Sequence, residues 1–439
     1  MHRPLLIENA TLLPTSGGAP VRRNRSVLIE GGLITRVAPR GRIGGFSGRR
    51  VDAAGRVVIP GLINAHTHLY SAFARGMTAT RPSRDFPSVL RNLWWRLDSA
   101  LTAEDCYQSA LVGLIDSIRH GCTTIVDHHS SPRAAGRSLD AIARAVRETG
   151  LRACLCFEVS DRNGRRAARE AMAENVRFIR RCQADGGDDL RALFGLHASF
   201  TLSDATLEEA AGLGHGLQTG FHIHAAEDPV DLPAGRAGVI GRLRRFGILG
   251  RRSIAAHCVH VSAREMESLS ETGTAVVHNP QSNLNNGVGI AGVVEMARRG
   301  VVLGLGTDAM TTDMLEELRA ALWAQRLARG SPSAGFNEAT GALFGGNPEI
   351  AGRIFGMRFG EVRRGCAGDL AIFDYDPPTP LTGASALGHV VFGLSQARVH
   401  ATVVAGRVLM ERGRITLDID EARVNARARE LAKDLWQRL

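Results

Sequence analysis

Eight short apolar runs recur between residues 57 and 309, and the stretches between them carry helical periodicity. This alternation constrains the fold more than any other feature of the chain. The runs are VVIPGLINAH (57–66), CTTIVDHH (122–129), RACLCFEVS (152–160), ALFGLHAS (192–199), GFHIHAAE (220–227), SIAAHCVH (253–260), TAVVHNP (274–280) and VLGLGTDA (302–309). Near-continuous apolar character suits strands buried on both faces. Between them, Thr102 with Asp105 three residues on predicts a helix start, and Leu111, Leu114, Ile115 and Ile118 form one face before Gly121 stops it. Ser262 and Glu265 form a second capping signature ahead of Met266 and Leu269. Eight strand–helix units in succession predict an α/β fold, a closed parallel (β/α)8 TIM barrel, with a doubly wound open sheet as the alternative.

The 439 residues exceed what such a barrel needs, and the two ends have a different texture. Residues 1–56 and 360–417 hold short strand-like runs (LLIENATLL, SVLIEGGLITRVA, DLAIFDYD, ATVVAGRVLM) broken by Gly and Pro, as at Pro377-Pro378. A small composite β-sandwich domain built from both termini is expected, flanking a barrel over 57–359. Residues 418–439 read as a C-terminal helix.

The formal charge of +10 raises nucleic acid as a partner. Yet Lys433 is the sole lysine, and the arginines are scattered in pairs such as Arg22-Arg23, Arg165-Arg166, Arg244-Arg245 and Arg363-Arg364, without interleaved aromatics. A nucleic-acid surface concentrates its charge in one stripe, so no such partner is expected. No apolar run reaches the ~18 residues of a membrane span, and no charged segment leads into an apolar one at the start. The seven cysteines are scattered, and Cys154 and Cys156 sit in a strand-like run, so buried thiols in a reducing cytoplasm are expected. Homo-oligomerisation is compatible with all of this.

The chemistry lies at the ends of the strands. His66 ends the first run with His68 two residues on; His224 ends the fifth, His257 the sixth, and Asp308 the eighth within Gly-Thr-Asp. C-terminal ends of barrel strands converge on one mouth, whatever their separation in sequence. His66, His68, His224 and Asp308 there form an N/O ligand set for one divalent ion, Zn2+ first and Fe2+ second, with a position open for water. His222 and His224 point to the same side of a strand, so periodicity does not decide between them. His224 is preferred because Glu227 follows it closely, which leaves His222 a supporting place.

These residues resemble the amidohydrolase superfamily over nearly the whole chain. Pro-Gly-Leu-Ile-Asn-Ala-His-Thr-His (60–68) is similar to its first-strand signature, and His-Ile-His-Ala-Ala-Glu-Asp (222–228) to the His-x-x-Glu of its aminohydrolase branch. Ala-His-Cys-Val-His (256–260), His-Asn-Pro-Gln-Ser-Asn (278–283) and Gly-Thr-Asp (306–308) fit its sixth, seventh and eighth strands, and residues 365–371 the return into its composite β domain. That branch includes guanine deaminase, S-adenosylhomocysteine deaminase and the triazine hydrolases. Asn92 to Asp98, Phe157 to Asn163 and the Asn283–Asn286 run resemble the SsnA-type aminohydrolases. Many barrel hydrolases of this superfamily bridge two metals with a carboxylated lysine; Lys433 lies in the terminal helix, so a mononuclear site is expected.

The resemblance implies hydrolytic deamination of a nitrogen heterocycle, purine-, pterin- or triazine-like, with release of ammonia. Asp308 would take a proton from the attacking water, Glu227 would protonate the ring, and His257 would hydrogen-bond the water or the developing oxyanion. His197 matches a substrate-contacting position, and His129 is favoured over His128 as the inward residue of the second strand. Trp94 and Trp95 lie in a long segment (69–100) that forms a lid with stacking aromatics or simply packs a helix on the barrel. Asp161, Arg162 and Asn163 are further polar contacts, and Asn285-Asn286 would suit a ring with several donors and acceptors. Competing readings are cyclic amide hydrolysis or dechlorination on the same metal site, and a non-catalytic metal or ligand binder.

Overall fold

The computed structural model describes residues 4–78, 81–232 and 238–439. Its barrel strands are Leu62–Thr67, Cys122–His129, Arg152–Phe157, a split fourth (Leu190–Ala192 and Phe194–Ala198), Phe221–Ala225, Ile254–His257, Ala275–His278 and Leu303–Leu305. Paired neighbours run parallel throughout. The fourth strand breaks at Leu193: its first piece pairs with the third strand, its second with the fifth, and a Val159–Leu196 bridge spans the gap.

The barrel closes where Thr67 meets Asp308. The contact is short, and side chains reinforce it. The N–H groups of Thr307 and Asp308 both donate to His66 O, at 2.9 and 3.0 Å. Asn347, fully buried, donates to Ile63 O (2.6 Å) and Leu305 O (2.9 Å) and accepts from Leu305 N (2.8 Å). Asn64 donates to Thr307 Oγ1 at 2.7 Å. Gly306 permits the approach, since a Cβ there would stand 2.7 Å from both Cβ and O of His66.

The run 57–66 is two strands rather than one. Val57–Pro60 pairs antiparallel with Leu370–Asp374 in the terminal sheet, and only Leu62–Thr67 belongs to the barrel. Both pieces are buried, so the apolar pattern runs across the break. The crossing is made at Gly61, where a Cβ would lie 2.3 Å from Thr123 Oγ1.

Strands from both termini join in one nine-stranded mixed sheet. Leu5, Ile7, Val27, Ile29, Leu370, Ile372 and Val403 share a core, so this sheet folds over on itself in the manner of a sandwich. Val57, Ile59, Ala371, Phe373 and Met410 join the barrel's core. A buried ion pair crosses the two layers, Arg152 Nε donating to Asp369 Oδ2 at 3.0 Å. The expected helix caps are present at Thr102–Asp105 and Ser262–Glu265. The C-terminal helix, Glu421–Gln437, buries Leu431 and Leu435; Trp436 Nε1 donates to Phe73 O (2.8 Å) and Arg438 pairs with Asp105 (2.6 Å). All seven cysteines are buried free thiols. Among the described residues, no helix is long and apolar enough to cross a membrane.

Candidate metal centre

His66, His68, His224, His257 and Asp308 meet at the C-terminal mouth of the barrel. His68 Nε2 lies 2.9 Å from Asp308 Oδ1 and 3.2 Å from His224 Nε2, and His66 Nε2 lies 3.6 Å from Asp308 Oδ1. Ligand atoms about 2.0 Å from one tetrahedral ion stand about 3.3 Å apart, so these spacings suit a single ion. His257 is grouped with His66, His224 and Asp308 as closely as His68 is with its own neighbours.

The outer nitrogens explain why the rings face inward. His224 Nδ1 donates to His197 O at 2.8 Å, and His68 Nδ1 donates to His128 O. His66 Nδ1 is 2.9 Å from His222 Nε2, which places His222 behind a ligand as its support. Each contact ties up Nδ1 and leaves a lone pair on Nε2, as metal-binding histidines require. Among the described residues, His66 Nε2 and His257 Nε2 are buried with no hydrogen-bond partner. A buried nitrogen without a partner costs free energy unless something outside the protein meets it. The donor set therefore fits a divalent cation.

The electrostatics differ from ring to ring. Burial drives the imidazoles of His66 (to about 3), His222, His224 and His257 down, so they stay neutral near pH 7. Burial also opposes charge on His68, but the hydrogen bond and charge of Asp308 outweigh it and hold that ring at about 9. Asp308 is pushed the other way: burial raises its carboxyl, and the facing imidazoles of His66 and His68 more than reverse this and hold it well below the usual carboxylate range. Ser282 Oγ donates to its second oxygen.

Glu227 sits two residues past its strand, with Oε2 3.6 Å from His257 Nε2. Burial and then the nearby Asp308 charge raise its carboxyl well above the usual range, so it holds a proton. His257 Nδ1 donates to Asn283 Oδ1 at 2.8 Å, leaving Nε2 an acceptor in the neutral ring.

A recess of about 730 Å³, including its open mouth, lies over these groups. His197, Trp94, Trp95 and Asn286 line it, whereas Asn285 does not. Phe86, Leu90, Trp94 and Trp95 also pack on Val288, Phe200 and Val259, so the segment is at once pocket wall and packing. A π-turn over Leu90–Trp94 links the short helices Phe86–Val89 and Trp95–Ala100 and turns both tryptophans to the recess.

His129 is a correction. It does not line the recess; its Nε2 contacts Ser131 Oγ (2.8 Å) and Cys106 Sγ (3.5 Å) in the layer between strand and helix. Strand alternation turns His128 inward instead, against the rings of His66, His68 and His222. Asp161 is structural, accepting from Ser203 N and Thr206 Oγ1, and Arg162 is spent on a buried pair with Asp98. Sequence reasoning passed over Glu158, Ser282 and Asp98, all of which line the recess. Only for Glu158 was there a signal: one acid inside the apolar run 152–160.

The sequence pattern of the amidohydrolase family matches residues 57–409. A 5-methylthioadenosine/S-adenosylhomocysteine deaminase of Desulforudis audaxviator is 31% identical over 98% of this chain and 99% of its own. A 5′-deoxyadenosine deaminase of Methanosarcina mazei is 30% identical over 99% of both chains. The crystal structure of an adenosine deaminase from Xanthomonas campestris with bound zinc superposes with a TM-score of 0.86, at 24% identity, covering 99% of both chains; it shares the fold. With a family pattern spanning the barrel and curated relatives matching end to end, the chain belongs to the amidohydrolase family.

Proposed function

We propose that the protein is a mononuclear, metal-dependent aminohydrolase that removes an exocyclic amine from a purine-type heterocycle and releases ammonia. The observation that carries this reading is a pairing of opposites within one recess. Asp308 and Glu227 both line it, with His257 Nε2 within about 4 Å of each, and their surroundings push the first carboxyl down and the second up. Hydrolysis of an amidine carbon needs a base for the water and an acid for the ring, and groups with pKa values pushed apart supply the two.

His66, His68, His224 and Asp308 would hold the ion, zinc first and ferrous iron second. A bound divalent cation lowers the pKa of water toward neutrality and so supplies a nucleophile. Asp308 would accept a proton from the attacking water, and Ser282 keeps the carboxylate oriented. His257 accepts a hydrogen bond from the water through Nε2 and aims it at the ring. Glu227 gives its proton to the ring nitrogen beside the amine-bearing carbon, removing the amidine resonance that resists attack; the proton on Asp308 then passes to the amine, the carbon–nitrogen bond breaks to release ammonia, and the new hydroxyl returns its proton to Glu227 as the carbonyl forms. Trp94 and Trp95 supply flat walls for an aromatic ring and displace bulk water from it. His197, whose Nδ1 is held 2.8 Å from Thr201 Oγ1, offers Nε2 to the substrate.

The curated relatives are named as deaminases of 5′-modified adenosines, which directs the substrate search to purines before pterins or triazines. A cytoplasmic enzyme of SsnA type is part of the same reading. The test is metal analysis with an ammonia-release screen over purines, pterins and triazines. The expected result is one ion per chain and ammonia from an aminopurine. Ring opening or chloride release without ammonia would replace deamination on this site.

A further inference from the structure

Glu158 follows the third barrel strand and has no part in the steps above. Its side chain is only 4% exposed, yet it lines the recess. One oxygen, Oε1, meets His128 Nδ1 at 3.0 Å. The other, Oε2, makes no hydrogen bond among the described residues; the ring nitrogen facing it, His197 Nε2, is 3.9 Å away, beyond hydrogen-bond reach.

Glu158 stands with His68, His128 and His224 in a group compact enough to hold a cation. That role is closed by the hydrogen bonds. His128 Nε2 donates to His222 O at 3.0 Å and its Nδ1 is engaged with Glu158 Oε1 at 3.0 Å, so both nitrogens of His128 already have partners. What is left is a buried carboxylate with one acceptor satisfied and one facing the recess. A buried charged acceptor left unpaired costs free energy, which a donor on a ligand would recover.

We propose that Glu158 is a substrate-binding residue whose Oε2 accepts a hydrogen bond from an N–H or O–H of the bound heterocycle, and that it selects among heterocycles accordingly. The inference rests on the aminohydrolase reading of the recess and adds a second recognition point, two strands around the barrel from Glu227. The shared chemistry is a neutral donor, with two sources: a ring N–H, or a hydroxyl of an attached sugar.

The test uses zinc-loaded full-length protein carrying Glu227→Gln to stop turnover, with and without Glu158→Gln or Glu158→Leu. Quenching of tryptophan fluorescence by adenosine, 2′,3′-dideoxyadenosine and guanine reports binding, because Trp94 and Trp95 line the recess. Loss of a hydrogen bond to a charged group weakens binding roughly 10- to 150-fold; Glu158→Gln, which keeps an acceptor, is expected near the low end and Glu158→Leu higher. If a 2′- or 3′-hydroxyl of the sugar is the donor, adenosine loses affinity and dideoxyadenosine does not. If a ring N–H is the donor, guanine loses affinity and both adenosines keep it. Either selective loss, with zinc content unchanged, supports the assignment. Equal affinities in all proteins, an equal loss for every probe, no binding of any probe, or zinc lost on Glu158→Gln overturns it. Should protein with Glu227 intact release no ammonia from any heterocycle while Glu158-dependent binding persists, the aminohydrolase reading fails and this one stands.

Discussion

Replacing Asn347 with leucine probes the seam between the first and eighth barrel strands. Leucine has the same branched outline of side-chain heavy atoms as asparagine, though bulkier, and offers no polar atom, so Ile63 O, Leu305 O and Leu305 N each lose a partner in a fully buried place. A buried polar group left unsatisfied costs about 1–3 kcal/mol. Three such groups, with some relaxation, predict a loss of about 3–6 kcal/mol, a large share of the 5–15 kcal/mol typical of a folded domain. His66 and His68 lie on one side of the seam and Asp308 on the other, so loosening it also spreads the metal ligands. The assays are the thermal unfolding midpoint of the metal-free protein and the rate at which the metal-loaded protein gives up zinc to a chelator. A lowered midpoint and faster zinc loss are expected together. Asn347→Asp sharpens the test, because its carboxyl would face two carbonyl oxygens and must stay protonated when folded. A carboxyl with a raised folded pKa loses its stabilising share as pH rises, so this variant should be worse near pH 8 than near pH 5. A midpoint within about 1 °C of wild type for Asn347→Leu, with zinc retention unchanged, refutes the account of the seam.

Glu227→Gln should cut kcat by roughly 10²–10⁴ while leaving zinc content intact; full activity on an established substrate would end the proton-donor assignment. Chelation should abolish turnover and lower the unfolding midpoint, since an ion at ~100 times its Kd stabilises the native state by about 2.7 kcal/mol, and restoring zinc should recover both. Asp231, raised to about 6 by burial, accepts from Ala226 N and Phe200 N. Its protonated form is favoured when folded, so its contribution is fully present below about pH 4 and lost as pH rises through about 6. The stability difference between wild type and Asp231→Asn should therefore shrink by about 2–3 kcal/mol between those limits, and a pH-independent difference in urea midpoints would contradict it.

The ring of candidate site residues was legible because barrel topology converts position along a strand into position in space. His66, His224, His257 and Asp308 needed only strand ends to be found, and Glu227 only its distance past one. Two things were hidden. Parity was one: Cys122–His129 ends in two adjacent histidines, both buried, and their burial gives no hint of which faces the mouth. Only the register of that strand against Arg152–Phe157 and Leu62–Thr67 shows that His128 turns inward. The other was what a buried acid does. Asp231, Asp161 and Glu158 are similar as letters, but the first two accept from backbone or hydroxyl groups of neighbouring turns and the third leaves an oxygen for the recess. The same limit applies to Val57–Pro60, where burial between two layers imitates a barrel strand.

The backbone at these strand ends carries a cost that the pattern of residue types does not reveal. Ala226, His257, Cys258 and Asp308 all take left-handed conformations, with φ of 49°, 72°, 49° and 51°. None is glycine, and such conformations cost roughly 1–3 kcal/mol each. They persist because hydrogen bonds fix them from several sides: Ala226 N donates to Asp231 and its O accepts from His260 N, Cys258 N donates to Ala225 O, and Asp308 N donates to His66 O. A strand continued in extended form would turn each following side chain to the opposite face of the barrel. The left-handed step breaks that alternation where the fifth, sixth and eighth strands end, so that Glu227, His257 and Asp308 address one recess. The strain thus lies at the residues proposed to move protons. Relaxing it, for example by Asp231→Ala freeing Ala226, should disperse Glu227 from His257 and lower kcat at constant zinc content. Retained kcat in that variant would mean that the turn is held by the barrel itself rather than by Asp231.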